Sequence, residues 1–515
     1  MMTSRWGLGA PAGLGLARGG PWHDLAMWSM LRRQWSASTD RVALVPERGE
    51  PVTYGQLDRL VGRAADSLSG AGVDQDTRVA VALPSGPDLV VTVLAGLACG
   101  ADVALLNTQW WPRELRAAFE VAQPDLVLTT DDLAPGARDL APVISLPTTR
   151  RDEPPAWSTL RLRTAVAAGA GTAGSGLTCF TAGVWSEPRP VHFSDEQLQA
   201  AWATPADEPP ETTLFTVDAS TAAALRAITV TLASGGTAQF TERWAPGRTA
   251  RRLARGDAHR LWATGPQLNQ LACLVSASTR WPGLVHIDAV AGMLHRSSAI
   301  RLASASLARV ATAFTVTEAG GAAARRDHYP AERHHPLDVG PAVAGLSVEV
   351  LDERWTHVGT GCVGRLQLRG SGLGTAPVGP SPSGQGGPGP VLCTGDLGRL
   401  AEDGNLHLMG RESDRFQCGG HLVWPALVEL ALAGHPGISD VAVVPRPDPD
   451  LGSVPVAVTV PANPEEPPFL LDLKDRLADL PPSSRPRAQA VVERLPLTGG
   501  GQLHRRMLAY DEVAR

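Results

Sequence analysis

The segment Val391–Glu429, VLCTGDLGRLAEDGNLHLMGRESDRFQCGGHLVWPALVE, decides the fold. It reads as strand, turn, strand, break, glycine pair and helix start. Thr394–Gly395–Asp396 is a tight acidic turn. Asn405–Arg411 is a short alternating strand that ends in Gly410–Arg411. Cys418–Pro425 is a glycine loop closed by a proline. A hairpin that brings Asp396 and Arg411 together suits a polar ligand carrying hydroxyls and phosphate.

Upstream, Thr53 opens a helix, TYGQLDRLVGRAADSLSGAG, with Gln56 completing a capping-box pattern. Tyr54, Leu57, Leu60, Val61, Ala64 and Leu68 fall on one face, and Gly70 and Gly72 supply the stop. The strand TRVAVALP, the helix PDLVVTVLAGLACG, the strand ADVALLN, the helix PRELRAAFEVAQ and the strand DLVLTT follow. Strands alternating with such helices predict a layered α/β fold with a largely parallel sheet. The alternation continues from Thr213 to Leu261, and Val339–Gly370 is a run of short strands and turns. Beyond Arg411 comes a smaller α+β unit: helix WPALVELALAG, strands SDVAVVPRP and VPVAVTVP, helix FLLDLKDRLADL and strand QAVVERLP. It ends in LTGGGQLHRRML.

The bulk numbers set limits. A chain of 515 residues exceeds one compact core, so two or more domains are expected. A net charge of −6, spread along the chain, leaves no electrostatic footprint for nucleic acid. The six cysteines form no CxxC or Cys/His cluster, which signals neither zinc nor a disulfide framework. They read as reduced, mostly buried small residues of an intracellular protein, with a cytoplasmic location expected. Gly96, Gly100 and Asp102 interrupt Leu89–Leu106, so a buried helix running into a strand is expected there and no transmembrane segment. Lys474 is the single lysine, and every other basic side chain is arginine. A lysine-to-arginine difference therefore carries little chemical meaning in this chain, whereas a lysine replaced by another residue type does.

The order TGD, GRxxD and GG loop with a following proline resembles the adenylate-forming superfamily of acyl-CoA synthetases, aryl-CoA ligases, peptide-synthetase adenylation domains and luciferases. TYGQL, GVDQDTRVAVALP and LLNTQWWPREL are similar to its opening blocks, and the resemblance runs from about residue 22 to 508. It implies an α/β protein. A large N-terminal domain of layered α/β subdomains plus a small β-barrel would be followed by a small, mobile α+β lid. The corresponding divisions are a disordered tail at 1–20, an AMP-binding domain at 21–410 and a lid at 411–515. A flexible Pro/Gly loop at 371–390 lies within the AMP-binding domain.

The resemblance also assigns roles. Asp396 would hold ribose hydroxyls and Arg411 the ribose and phosphate side. Thr317 and Glu318, in TAFTVTEAGG, match an aromatic-Gly-x-Thr-Glu element in which the threonine meets the α-phosphate and the glutamate holds Mg²⁺. Thr181 and Gly183 match the start of a phosphate loop, and Arg189 stands for its lysine. Val184, Trp185 and Ser186 occupy positions where small hydroxyl residues or glycine are usual, which weakens the grip on phosphate. FTVDASTAAAL lacks the histidine that relatives carry there. Trp262 and Leu268 lie in an acyl-pocket block, as pocket wall or core. Ser413 falls at the hinge of the lid, and Gly419 and Gly420 form its thiol-side loop. Gln502 stands where a catalytic lysine is expected; glutamine donates a hydrogen bond but carries no charge. Arg505 and Arg506 are expected along a helix surface, with Lys474 solvated in another helix.

Three readings follow. In the first, the protein is an AMP-forming acid–thiol ligase. It activates a small carboxylic acid with ATP and Mg²⁺ and passes the acyl group to CoA or an acyl carrier protein, with adenylation impaired. In the second, it is an inactive homologue that binds a nucleotide, an acyl compound or a partner protein. In the third, it performs only the half-reaction that uses a preformed acyl-adenylate.

Overall fold

The computed structural model describes residues 26–147, 155–158, 175–181, 188–202, 210–375 and 390–510. The expected tail at 1–20, Gly183 and residues 376–389 of the expected flexible loop lie outside them.

Two sheets dominate the N-terminal part. The larger has eight strands in the order Gly321–Tyr329, Arg309–Val316, His286–Val290, Arg260–Thr264, Thr212–Phe215, Thr237–Phe240, Val42–Val45 and Val52–Thr53. All neighbours are parallel except at the two edges. The smaller has six, in the order Val143–Leu146, Leu126–Thr130, Arg78–Ala82, Asp102–Leu105, Gly176–Phe180 and Pro190–Ser194, antiparallel only at the last pair. Near-continuous apolar strands such as Val79–Ala82 are buried on both faces, as parallel sheets covered by helices require.

The helices between the sheets explain the joint core. Helix Tyr54–Gly70 starts at Thr53, whose side chain accepts the Gln56 N–H while Gln56 returns a bond to the Thr53 N–H. The six apolar residues expected on one face are all buried. Helix Pro87–Ala98 is buried nearly all round and leads directly toward strand Asp102–Leu105. It joins Tyr54–Gly70 and Ala222–Ala233 in one apolar cluster between the sheets. Among the described residues, no helix is long and apolar enough to cross a membrane.

A four-stranded antiparallel sheet, Ser347–Leu351, Gly364–Arg369, Val391–Leu400 and Leu406–Arg411, takes the place expected for the small barrel. After it, strands Phe416–Cys418, His421–Val423, Ile438–Asp448, Gly452–Pro461 and Ala488–Val491 form a fourth sheet, with helix Pro425–Ala433 packed on it. The helix expected in FLLDLKDRLADL is instead a short 3-10 turn, Lys474–Leu477. Pro467 and Pro468 precede this stretch, Pro481 and Pro482 follow it, and Leu473 and Leu477 are its buried anchors. That leaves little length for a stable α-helix.

Candidate active site

In open α/β sheets, ligands bind beyond the carboxyl ends of the strands. Here the carboxyl edges of both sheets meet. Thr264 ends one strand of the larger sheet and Thr317 follows another, and Asn107 and Thr181 follow strands of the smaller one. Gln109 Nε2 donates to Asp218 Oδ2 at 3.0 Å, and the Ala219 N–H donates to Ser85 Oγ at 2.9 Å. These bonds bridge the two edges. Burial pushes the Asp218 carboxyl up, against bonds from Ser220, Gln109 and Ser85.

Asp396 and Arg411 face each other as cross-strand partners of the hairpin, and register alone brings them together. Arg411 Nε lies 3.2 Å from Asp396 Oδ1, and Arg411 Nη2 donates to the Thr394 carbonyl at 3.2 Å. Thr394 Oγ1 accepts the Asp396 N–H at 3.0 Å. The Arg411 side chain is 46% exposed and that of Asp396 16%, so the acceptor lies at the back and the cation at the rim. Burial pushes the Asp396 carboxyl up to about 6 against the pull of Arg411, and Asp414 and Glu318 push the same way as burial. Asp396, Glu318 and Asp414 thus share one electrostatic neighbourhood.

Glu318 is buried in the 3-10 turn Thr317–Ala319, with Thr317 half-buried beside it. The Glu318 carbonyl accepts the Gly374 N–H at 2.7 Å, and Thr375 exchanges backbone bonds of 2.8 and 2.7 Å with His192. Gly374 and Thr375 therefore tie the Thr317–Glu318 turn to strand Pro190–Ser194. Thr181 and Arg189 close the hairpin below the expected phosphate loop. The Thr181 N–H donates to the Arg189 carbonyl, and the Arg189 N–H to Thr181 Oγ1, both at 3.0 Å. The hairpin is anchored on buried Asp102, which binds Arg78 Nε at 2.7 Å and accepts Thr178 Oγ1 at 3.0 Å. Arg189 is exposed.

The segment that closes the chain sits on the larger sheet's edge. Its backbone folds on itself through the Thr498 N–H to the Gln502 carbonyl at 2.7 Å and the Gly501 N–H to the Thr498 carbonyl at 2.8 Å. Thr264 Oγ1 donates to the Gly501 carbonyl at 2.5 Å, and Gln270 Nε2 to the Leu495 carbonyl at 2.9 Å. Gly501 has φ 76°, and a Cβ there would lie 2.8 Å from Gln267 Nε2. Only glycine fits that conformation and that approach without strain. Thr264 and Gln267 form the capping box of helix Gly265–Ala272, so the loop rests on a rigid helix start. The Gln502 side chain is half-buried and makes no hydrogen bond among the described residues.

One expectation changes. Arg505 does not lie along a helix surface. It is half-buried, with Nη1 and Nη2 on the two Glu429 oxygens at 2.6 and 2.9 Å and Nε 3.1 Å from Asp414 Oδ2. The helix Arg505–Tyr510 starts against strand Ile438–Asp448, and Arg505 also donates to the Val443 carbonyl at 3.1 Å. Of the two residues read as pocket wall or, by default, core, Leu268 is fully buried, and Trp262 is buried and packs on Phe215 with ring centroids 5.7 Å apart. Ser413 is exposed in the turn Glu412–Asp414. Gly419 and Gly420 turn the hairpin of Phe416–Cys418 and His421–Val423 and are exposed, with nothing within 4 Å of a Cβ at Gly420. Lys474 is exposed. Sequence reasoning passed over Gln109, Asp218, Thr264 and Gln267. Their signal was a polar residue at or soon after the end of a parallel strand.

Known proteins agree with this architecture. The family model described as AMP-binding enzyme matches residues 31–376, and that of the AMP-binding enzyme C-terminal domain matches residues 427–502. The chain belongs to this family, the AMP-dependent synthetases and ligases of the adenylate-forming superfamily. It is 28% identical over 500 residues to an isonitrile lipopeptide synthase of Streptomyces coeruleorubidus, covering 90% of this chain and 32% of that protein. It is 24% identical over 527 residues to a probable CoA ligase of Humulus lupulus, covering 96% of this chain and 98% of that one. The chain thus spans about a third of the first relative and nearly all of the second. Its fold resembles o-succinylbenzoate CoA synthetase from Bacillus subtilis, solved with an acyl-adenylate, with a TM-score of 0.74 at 20% identity over 94% of this chain and 98% of that one. It also resembles ATP-bound MatB from Rhodopseudomonas palustris, with a TM-score of 0.77 at 21% identity over 94% of this chain and 99% of that one.

Proposed function

We propose that the protein is an acid–thiol ligase that forms an acyl-adenylate from ATP and a carboxylic acid, then transfers the acyl group to CoA or a carrier thiol. The observation that carries this reading is the Asp396–Arg411 pair at 3.2 Å, in one electrostatic neighbourhood with Glu318 and Asp414. In this reading Asp396 accepts the ribose hydroxyls. Arg411 holds the ribose and α-phosphate side from the rim, and Thr317 donates to the α-phosphate. Thr181, Gly183 and Arg189 meet the outgoing phosphates. Glu318 would hold Mg²⁺, a hard cation suited to carboxylate and phosphate oxygens, which would offset the phosphate charge. Among the described residues no group of three or more His, Cys, Asp or Glu could hold a metal ion, so its remaining ligands would come from nucleotide and water.

Adenylation is slowed because Gln502 supplies no charge at the position of the family lysine. A lost preorganised donor costs on the order of 10²–10³ in rate. Ser413 serves as hinge for a swing that brings Gly419 and Gly420 to the thiol side. A second reading, a binding protein without turnover, is favoured by one observation. The nearby cation Arg505 is committed to Glu429 and Asp414 and does not replace the missing lysine.

The test is pyrophosphate release from ATP, Mg²⁺ and a panel of carboxylic acids, with the wild type and Gln502→Lys. Release by the wild type that rises roughly a hundredfold in the variant supports the ligase with impaired adenylation. Release by neither, alongside retained AMP binding, supports the second reading.

A further inference from the structure

A pocket of about 70 Å³ lies between helix Ala222–Ala233 and one face of the larger sheet. Its outer end is lined by Val290, Thr315 and Gly321, where strands end or start beside Thr317 and Glu318. Trp262 on the sheet and Ala223 and Ala227 on the helix form its flanks. Its inner end is charged. Arg260 starts its strand, Asp288 lies two residues inward of Val290, and Arg325 reaches Asp288 from strand Gly321–Tyr329. This charge is matched within the protein. Asp288 Oδ1 accepts Arg325 Nη2 at 2.9 Å, and its Oδ2 is ion-paired with His328 Nε2 at 3.6 Å and Arg260 Nη1 at 3.7 Å. Arg260 Nε binds Glu211 Oε2 at 2.9 Å. Arg226, whose stem packs on Gly321, donates from Nε to the Ala201 carbonyl at 3.0 Å.

These pairings decide what the pocket accepts. A polar or charged tail would leave water and meet lining charges that are already matched, so its own groups would lose hydrogen bonds. A chain that ran deeper would have to part Asp288 from Arg325 or Arg260, and breaking a buried ion pair is strongly unfavourable. An aromatic ring is too large, because a cavity of about 150 Å³ is the size that holds benzene. What remains is short and apolar. The volume of about 70 Å³ admits roughly five carbon-sized groups at about 10–15 Å³ each. We infer that the acid this protein takes is aliphatic and straight-chain, with roughly three to five carbons beyond its carboxyl lying between Trp262 and Ala227. This rests on the ligase reading for the carboxyl end of the acid, while the limit on its chain is set by the pocket. Trp262 and Ala227 are then specificity-determining residues, and the Asp288–Arg325 pair is the floor.

The test is calorimetric binding of unreactive acyl-adenylate mimics, the N-acylsulfamoyl adenosines carrying acetyl, butanoyl, hexanoyl, decanoyl, benzoyl and glutaramoyl groups. From acetyl to hexanoyl, each added methylene is expected to tighten binding about fourfold. The decanoyl, benzoyl and glutaramoyl mimics are expected to bind at least roughly tenfold more weakly than the hexanoyl one. In Ala227→Leu the added carbons occupy the pocket, so the acetyl mimic should still bind and the hexanoyl advantage should vanish. A flat series from acetyl to hexanoyl, or no binding of any mimic, overturns the inference. So does decanoyl, benzoyl or glutaramoyl binding as tight as hexanoyl, or an unchanged profile in a folded Ala227→Leu. If that variant does not fold, Ala223→Val takes its place, and if neither folds the wild-type series alone decides. Pyrophosphate release with the corresponding free acids, by the wild type and Gln502→Lys, separates the two readings. Release that ignores chain length refutes the inference and keeps the ligase. The expected profile in binding with no release from any acid keeps the inference and refutes the ligase.

Discussion

His295 and Asp440 give the contact between the closing unit and the N-terminal part a calculable pH dependence. His295 precedes helix Arg296–Ser306, and Asp440 lies in strand Ile438–Asp448. Both are 3% exposed, with His295 Nδ1 3.9 Å from Asp440 Oδ1, and His295 Nδ1 and Asp440 Oδ2 have no hydrogen-bond partner. The groups around them are Glu429 on the Asp440 side and His334 and Cys273 on the other. Burial, with Glu429 adding to it, pushes the Asp440 carboxyl up to about 8. Burial, with His334 adding to it, takes the His295 imidazole down to about 4. In a separated or unfolded chain the two groups titrate near 3.9 and 6.5. For Asp440 the docked state keeps the proton longer, so its contribution is full below about pH 4 and is lost as pH rises to about 8. For His295 the docked state sheds the proton earlier, so its contribution is full above about 6.5 and is lost as pH falls to about 4. Between 4 and 6.5 the two slopes oppose and cancel. From 6.5 to 8 only Asp440 acts, and the contact weakens by about 1.4 kcal/mol per pH unit, about 2 kcal/mol in all. Energy transfer between dyes on exposed Cys362 and on Phe469→Cys, with Cys273 replaced by serine, reads the docked fraction. Asp440→Asn isolates the term, because its slope between pH 6.5 and 8 should be shallower than the wild type by about one proton. Parallel profiles for the two proteins would refute the reasoning.

Two further changes probe the same region. Gly501→Ala places a side chain at φ 76° and 2.8 Å from Gln267 Nε2. The left-handed conformation costs roughly 1–2 kcal/mol, and the displaced Thr264 bond adds about 1 kcal/mol, so the docked fraction in the same assay should fall with little change in the melting of the isolated closing unit. Arg505→Met leaves buried Glu429 and half-buried Asp414 without this cation, a loss of about 3–5 kcal/mol visible as a lower urea midpoint. A change under about 1 kcal/mol would show that Arg505 is not the tie it resembles.

The strand that ends in Gly410–Arg411 was legible because its information is local, but Thr394–Asp396, read as a turn, lies inside strand Val391–Leu400, and the chain reverses at residues 401–405. A register irregularity at Leu397–Gly398 helps to set Asp396 opposite Arg411, and no alternation signals it. The capping box at Thr53 and the buried face of the following helix were legible because they too are local. Arg505 was not, because helical position predicts a surface residue, and only tertiary folding brings Glu429 and Asp414 to it. Gln109 and Asp218 lie 109 positions apart, and no periodicity within either segment signals the bond that joins the two sheet edges. The helix expected in FLLDLKDRLADL failed although its apolar spacing fits one: the twelve residues between the proline pairs are marginal for a helix, and only Lys474–Leu477 forms a tight turn, anchored by buried Leu473 and Leu477.

The seat of the closing loop also bears on what Gln502 removes. The contacts that hold the loop come from the Gly501 carbonyl, the tight approach of Gly499 to Gln109 and the Gln270–Leu495 bond. None uses the side chain at position 502. Loop placement and charge at that position are therefore physically separable. A chain can lose the charge and keep the geometry, because backbone atoms and glycine conformations alone maintain the geometry. Gln502→Lys should then alter the rate of pyrophosphate release without altering the docked fraction, and Gly501→Ala should lower the docked fraction first and the rate only through it. If Gln502→Lys instead shifts docking by as much as Gly501→Ala, position 502 is part of the seat. The loss of the lysine would then be a loss of assembly, and the electrostatic account would fall.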